Sequence, residues 1–244
     1  CMGASVLMSE YYGAGDHKNL KREISTAAII GLTFTIIISI LVLIFSKDLL
    51  RLLQTPENIV DSASTYLRII FGGLFFTFLY NIYASALRSV GDSRTPIRFL
   101  AIAAVLNGCL DYIFVAHFHL GVAGAATATV IAEAVSGILC IIHVYRNIPL
   151  LRLEKKDFVV DKALFRKTLH YSWASAMQQA CLYIGKTIVQ ITVNPLGVDS
   201  IATFNAVNRV DDFAFTPQQS IAQGMTVFIA QNRGAKKSDR IKEG

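Results

Sequence analysis

Two sets of polar side chains recur at helical spacing inside otherwise apolar sequence, and these are the residues equipped for chemistry. Between 168 and 194, Ser172, Ser175, Gln179, Tyr183, Lys186, Gln190 and Asn194 follow steps of three or four, so on a helix they line one face from end to end. Between 201 and 230, Asn205, Asn208, Asp212, Thr216, Gln219 and Gln223 do the same, with Arg209 and Asp211 beside them. Smaller groups stand apart: Glu133 with Thr129 and Ser136, Asn107 with Asp111 one turn on, and Asn81 with Thr77, Ser85 and Tyr80. Such faces suit the binding of a polar solute or an ion, and each carboxylate can take up a proton or a cation. The plainer alternative at each is a hydrogen bond between packed helices, or a buried structural acid.

Lys186 is the sharpest of these, because an ammonium within an apolar helix is costly without an anion nearby. If the stretches 168–194 and 201–230 form a hairpin turning near Leu196, Lys186 lies level with Asn205 to Arg209. Asp211 and Asp212 then sit about one turn deeper, about 6 Å along the axis, within reach of a flexible Lys stem. The expectation is a charge cluster of Lys186, Arg209, Asp211 and Asp212.

Other chemistries find no support. No phosphate-cradling Gly-Lys loop, zinc spacing or nucleophile elbow occurs, so no enzymatic site, cofactor or resident metal is expected. Cys1, Cys109, Cys140 and Cys181 are scattered through apolar sequence and read as small apolar fillers. His117 and His119 read as exposed loop residues. The aromatic residues Phe75, Phe76, Phe78, Tyr80 and Tyr83 read as lipid or packing contacts, with stacking on a flat cation as the alternative.

The elements that must carry these residues are set by hydropathy. With 53% hydrophobic and 16% charged residues, the 244-residue chain holds more apolar side chain than a soluble core would bury. About 20 apolar residues cross a hydrocarbon layer about 30 Å thick. The run 27–45 does so without a single charge, and 69–87, 99–115, 122–145, 168–194 and 201–230 are further spans. Residues 2–8 add a partial one. The chain opens inside this apolar stretch and closes on a polar loop, as expected of a fragment. Between the spans, the gap 46–61 reads as a short interfacial helix bearing Leu49, Leu50, Leu52 and Leu53. Gly124, Ala128, Ala132 and Ser136 form a small-residue ridge for close helix packing. Pro217 predicts a kink near Thr216.

Seven alternating crossings place the gaps 13–23, 88–98, 145–167 and 233–244 on one side, with eighteen Lys and Arg residues against two, Lys47 and Arg51, on the other. The positive-inside rule makes the rich side cytoplasmic in a multi-pass protein of the cell membrane. It also accounts for the net charge of +6 without nucleic acid. The expected units are 1–147, most of one helix bundle, a cytoplasmic linker over 148–166, and the first two helices of a second bundle over 167–244.

A shift of 221 residues lays GASVLMSEYYGA at 3–14 over GMTVFIAQNRGA at 224–235, with Gly3, Val6, Gly13 and Ala14 matched by identical residues. Six crossings within one period keep both copies in the same orientation, which makes them parallel repeats. Together with ALRSVGDSRTPI and GVAGAATATVI, these segments resemble the multidrug and toxic compound extrusion (MATE) transporters over nearly the whole chain. The resemblance implies an all-α polytopic bundle of two six-helix repeats, of which this chain matches helices two to eight. It also implies export of organic or xenobiotic compounds by antiport with Na⁺ or H⁺. The first helix, which carries an acidic coupling residue in several branches of the family, has no counterpart here.

The reading is therefore a monomeric antiporter whose partners are the bilayer and a small organic substrate, with Gln179, Tyr183, Lys186, Gln190, Asn205, Asn208, Arg209, Asp211, Asp212, Asn81, Asn107, Asp111 and Glu133 on its pathway. Two alternatives stay open. One is a lipid-linked oligosaccharide flippase of the same superfamily, which favours a larger and more basic cavity. The other is a non-transporting membrane scaffold or receptor.

Overall fold

The computed structural model describes residues 2–52, 57–154, 157, 162–193 and 198–243. These residues form α1 (Met2–Gly13), α2 (His17–Leu52), α3 (Glu57–Ser89), α4 (Arg94–Asp111), α5 (Gly121–Asn147), α6 (Lys162–Val193), α7 (Val198–Gly234) and the short α8 (Ser238–Glu243). No strand occurs among them. The charge-free run of α2 is rich in β-branched residues, among them Ile29, Ile30, Thr33, Ile36, Ile37 and Ile38. In water that composition favours a strand. Inside a hydrocarbon layer each backbone group must be satisfied within its own segment, and the helix wins. Four helices, α2, α3, α4 with its continuation to His117, and α5, are long and apolar enough to cross a membrane. α6 and α7, with 32 and 37 residues, have the length, but their polar stripes dilute their hydropathy.

The buried core gathers at one end of the bundle. Met8 from α1, Leu20 and Ile24 from α2, Leu87 from α3, and Cys140 and Val144 from α5 pack together there. Leu151 and Leu153, from the segment expected as a linker, fill the same core, so the start of that segment is packed against the first helices. Lys155 and Lys156 lie outside the described residues. The expected ridge on α5 is buried at Gly124, Ala128, Ala132 and Ser136, and α5 packs closely on α3. The approach is close: a Cβ on Gly137 would lie 3.3 Å from the Phe76 carbonyl oxygen.

The 221-residue repeat has a structural counterpart. α1 ends with Gly15 at φ +70°, where the Gly15 and Asp16 amides donate back to the Tyr12 and Tyr11 carbonyls. α7 ends in the same way, with Lys236 at φ +56° and the Lys236 and Lys237 amides donating to Arg233 and Asn232. Both are Schellman ends, with the left-handed residue just past the helix. The two ends also cross each other reciprocally. A Cβ on Gly13 would lie 1.9 Å from the Gln231 carbonyl oxygen, and one on Gly234 would lie 1.9 Å from the Glu10 carbonyl oxygen. Residues 10 and 13 become 231 and 234 under the 221-residue shift, so the crossing has local two-fold symmetry.

Around this crossing the α6–α7 pair meets the other helices through α1, with smaller contacts to α2 and α3. The Gln231 amide donates to the Ser89 carbonyl at 2.8 Å, and Arg233 lies 3.8 Å from Glu10. Gly13, Gly91 and Gly234 all sit here, so the cation-rich gaps share this basic end. In the gap after α3, the Asp92 carboxylate accepts the Thr95 amide at 3.0 Å. Burial would raise its pKa, but the Thr95 bonds, nearby His143 and the Arg94 amide outweigh that and hold it below the usual carboxylate value.

Two local features depart from expectation. α2 continues to Leu52 through a kink at Phe45 (φ −101°, ψ 17°), so the expected interfacial helix is its prolongation. Lys47 pairs with Asp61 at 2.8 Å across to α3, while Leu53 lies outside the described residues. α4 passes into a π-helical turn over Tyr112–His117, which packs against α5. Pro217 lies inside α7, and beside it the Thr216 hydroxyl donates to the Asp212 carbonyl at 2.6 Å.

Candidate functional site

A polar track crosses the first helix group between α3, α4 and α5. Thr77 on α3 donates its hydroxyl to the Glu133 carboxylate on α5, and the Asn81 amide donates to the Thr77 carbonyl at 2.8 Å. One turn from Glu133 along α5, Thr129 receives the Asn107 side-chain amide at 3.5 Å. Asp111 follows Asn107 by one turn, where α4 becomes π-helical, and its Oδ1 is buried without a hydrogen-bond partner. Three helices thus bring Asn81, Glu133, Asn107 and Asp111 into one oxygen-rich file. Such oxygens suit a proton or a hard cation.

The second polar set lies on α6 and α7. The Lys186 ammonium donates to Asp212 Oδ1 at 2.9 Å, and Asp211 and Tyr183 also act on its charge. The fourth expected member, Arg209, stays exposed and joins no ion pair among the described residues. α6 ends at Val193 and α7 begins at Val198, either side of Leu196, and the Lys186 stem reaches Asp212 as expected. α6 and α7 touch sparsely, and nothing draws the guanidinium inward. Gln179, Tyr183 and Asn205 are exposed, while Gln190 and Asn208 are half-buried. Asn194 and the turn residues 195–197 lie outside the described residues.

A third polar contact escaped the sequence reading. Glu23, near the start of α2, has no exposed surface, and both its oxygens lie within 2.8–2.9 Å of the Thr168 hydroxyl on α6. A signal existed: Leu20, Ile24 and Ala27 mark the buried face of α2, and Glu23 shares it. Its partner, 145 residues away, could not be read from spacing.

The MatE family model matches residues 1–113 and 174–243. The chain is 29% identical over 248 residues to the probable multidrug resistance protein YoeA of Bacillus subtilis, covering 99% of this chain and 54% of that protein. It is 27% identical over 255 residues to the FAD transporter of Shewanella oneidensis, again covering 99% and 54%. Among solved structures, a crystal structure of MATE in the bent conformation superposes with a TM-score of 0.92 at 21% identity, covering 99% of this chain and 55% of that one. An outward-facing MATE family multidrug resistance transporter gives 0.91 at 22% identity, covering 99% and 54%. The structural likeness shows a shared fold, and the chain spans about half the length of the relatives it matches. These relatives are transporters and not enzymes, and this multi-pass helical chain belongs to the MatE family.

Proposed function

We propose that the whole protein is a monomeric secondary transporter that exports organic compounds in exchange for an inward-moving cation, H⁺ or Na⁺. The oxygen file of Asn81, Glu133, Asn107 and Asp111 carries this reading. Asp111 offers a buried carboxylate oxygen without a hydrogen-bond partner one turn from the Asn107 amide, and Glu133 offers a second carboxylate further along the file, receiving places for a cation in an apolar bundle. The α6–α7 stripe, from Gln179 to Gln190 and from Asn205 to Asp212, supplies polar groups and the Lys186 pair for the organic substrate. Substrate class follows the relatives, which include multidrug resistance proteins and an FAD transporter. The whole protein in liposomes, given a Na⁺ gradient and a pH gradient separately, should drive efflux of a fluorescent organic cation with one of the two. Efflux indifferent to both gradients rules the antiport out.

Orientation follows the cations, with the basic end cytoplasmic. In a background freed of native cysteines, single cysteines at Pro56, His119 and Gly197 should react with an impermeant maleimide added outside, and those at Lys155 and Lys237 should not. Outside labelling at Lys155 would reverse the topology.

A further inference from the structure

Glu23 belongs neither to the oxygen file nor to the Lys186 pair. It lies four residues before the charge-free run 27–45, outside the membrane-spanning stretch, where α2 meets α6. Its side chain and that of Thr168 are 0% and 2% exposed, although they come from the two helix groups on either side of the seam. No cation pairs with Glu23 among the described residues. Lys167 of α6 is the charge whose field reaches it. Lys21 and Arg22 flank Glu23 on α2, and Arg166 and His170 flank Thr168 on α6. Glu10 of α1 pairs with Arg233, Arg88 of α3 donates to the Ser85 hydroxyl, and Arg152, just past the Pro149–Leu151 turn, donates to the Arg146 carbonyl at 3.3 Å.

Counting hydrogens settles which form fits. The Thr168 hydroxyl has one hydrogen and three acceptors in range: the two Glu23 oxygens and the Leu164 carbonyl at 2.9 Å. With an ionised carboxylate, that single hydrogen serves one acceptor and leaves a buried charge short of donors. With a protonated carboxyl there are two hydrogens, Glu23 donating to Thr168 and Thr168 to Leu164. Burial pushes the carboxyl up to about 7, against the opposing pulls of the Thr168 hydroxyl and Lys167.

We propose that Glu23 and Thr168 form a proton-binding site in the seam between the two helix groups, loaded while the basic end is closed and emptied when it opens. In the closed form the proton bridges Glu23 to Thr168. Parting the seam hydrates the carboxyl, returns it toward its ordinary acidity, and releases the proton to water at the basic end. The sign follows from linkage. The raised value in the closed form gives closure its full stabilisation below the ordinary carboxyl range, and that stabilisation is lost as the pH rises through about 7. Only the parting of the seam is borrowed from the proposed transport cycle, and the measurements below read the proton and the seam, so a failure of antiport leaves them standing.

Infrared difference spectra of the whole protein in nanodiscs, titrated from about pH 5 to about pH 9, should show a protonated-carboxyl C=O band that disappears near neutrality and is missing in Glu23→Gln. Spin labels at Lys18 and Arg166 should report a seam that widens over the same pH range in the unmodified sequence and stays closed at every pH in Glu23→Gln. Should that variant not fold, Thr168→Val should shift the band, because the carboxyl loses its partner. A band absent from the unmodified protein, unaffected by both variants, or a seam titrating identically in Glu23→Gln, would overturn the site.

Discussion

Gly13→Ala or Gly234→Ala should hold the basic end of the bundle apart. At either position the added methyl would lie 1.9 Å from a carbonyl oxygen of the crossing helix, Gln231 in one case and Glu10 in the other. A C···O contact needs about 3.3 Å, so the helices must separate by about 1.4 Å at their closest point. Nothing flexible can yield, because the obstacle is backbone. Overpacking of this kind costs about 1–3 kcal/mol. If the cost falls on closure, it reduces the closed-to-open ratio about five- to 150-fold. Spin-label distances across α1 and α7 should lengthen, and export should fall in proportion. Gly224→Ala is the control, since a Cβ there meets nothing within 4 Å. Equal distances in Gly13→Ala and Gly224→Ala would show that the crossing tolerates a side chain and does not govern closure.

The second large effect is expected at Lys186. Lys186→Gln removes the ammonium that Asp212 holds at 2.9 Å, on a helix pair whose remaining side chains include Ile184, Ile188, Val207 and Val210. The pair is more than half exposed, at 58% and 66%, so its loss should alter folding stability by less than about 1 kcal/mol. Function should suffer more. An Asp212 left alone, or neutralised by a captured proton, changes the charge the substrate meets. Export should fall about tenfold, equivalent to about 1.4 kcal/mol on the barrier, with a flattened pH profile. Exchanging the charges, Lys186→Asp with Asp212→Lys, should recover much of the rate. Unchanged export and pH dependence in Lys186→Gln would remove the pair from the cycle.

What could be read ahead of the structure was whatever depends on local period. The spans, the α5 ridge from Gly124 to Ser136, and the approach of Lys186 to Asp212 all follow from helical spacing and the length of a hairpin. The 221-residue repeat was legible as a pattern, but its meaning was not: nothing in four identities says that the two copies touch. Arg209 was misplaced because spacing gives a side chain's level along a helix, not which way a long guanidinium turns, whereas the bounds of α6 and α7 bracket the expected turn near Leu196. The kink at Phe45 and the π turn after Asp111 carry no Pro or Gly to announce them. Glu23 stood in plain view as a charge on a buried face, yet its role depends on Thr168, which only the folded chain brings near.

The reciprocal glycine crossing also fixes the mechanics of the molecule. Gly234 lies at the extreme end of α7, so almost all of that 37-residue helix, about 55 Å at 1.5 Å per residue, extends to one side of the contact. A fulcrum at the tip of a lever multiplies rotation into travel. A tilt of about 10° about the crossing would sweep the far end of α7 through about 9 Å, while the glycines slide by less than a side chain's width. Small residues at the pivot and long, sparsely held arms beyond it therefore amount to a gearing, by which ångström-scale adjustments where α1 meets α7 would, in the proposed transport cycle, open and shut a mouth at the opposite face.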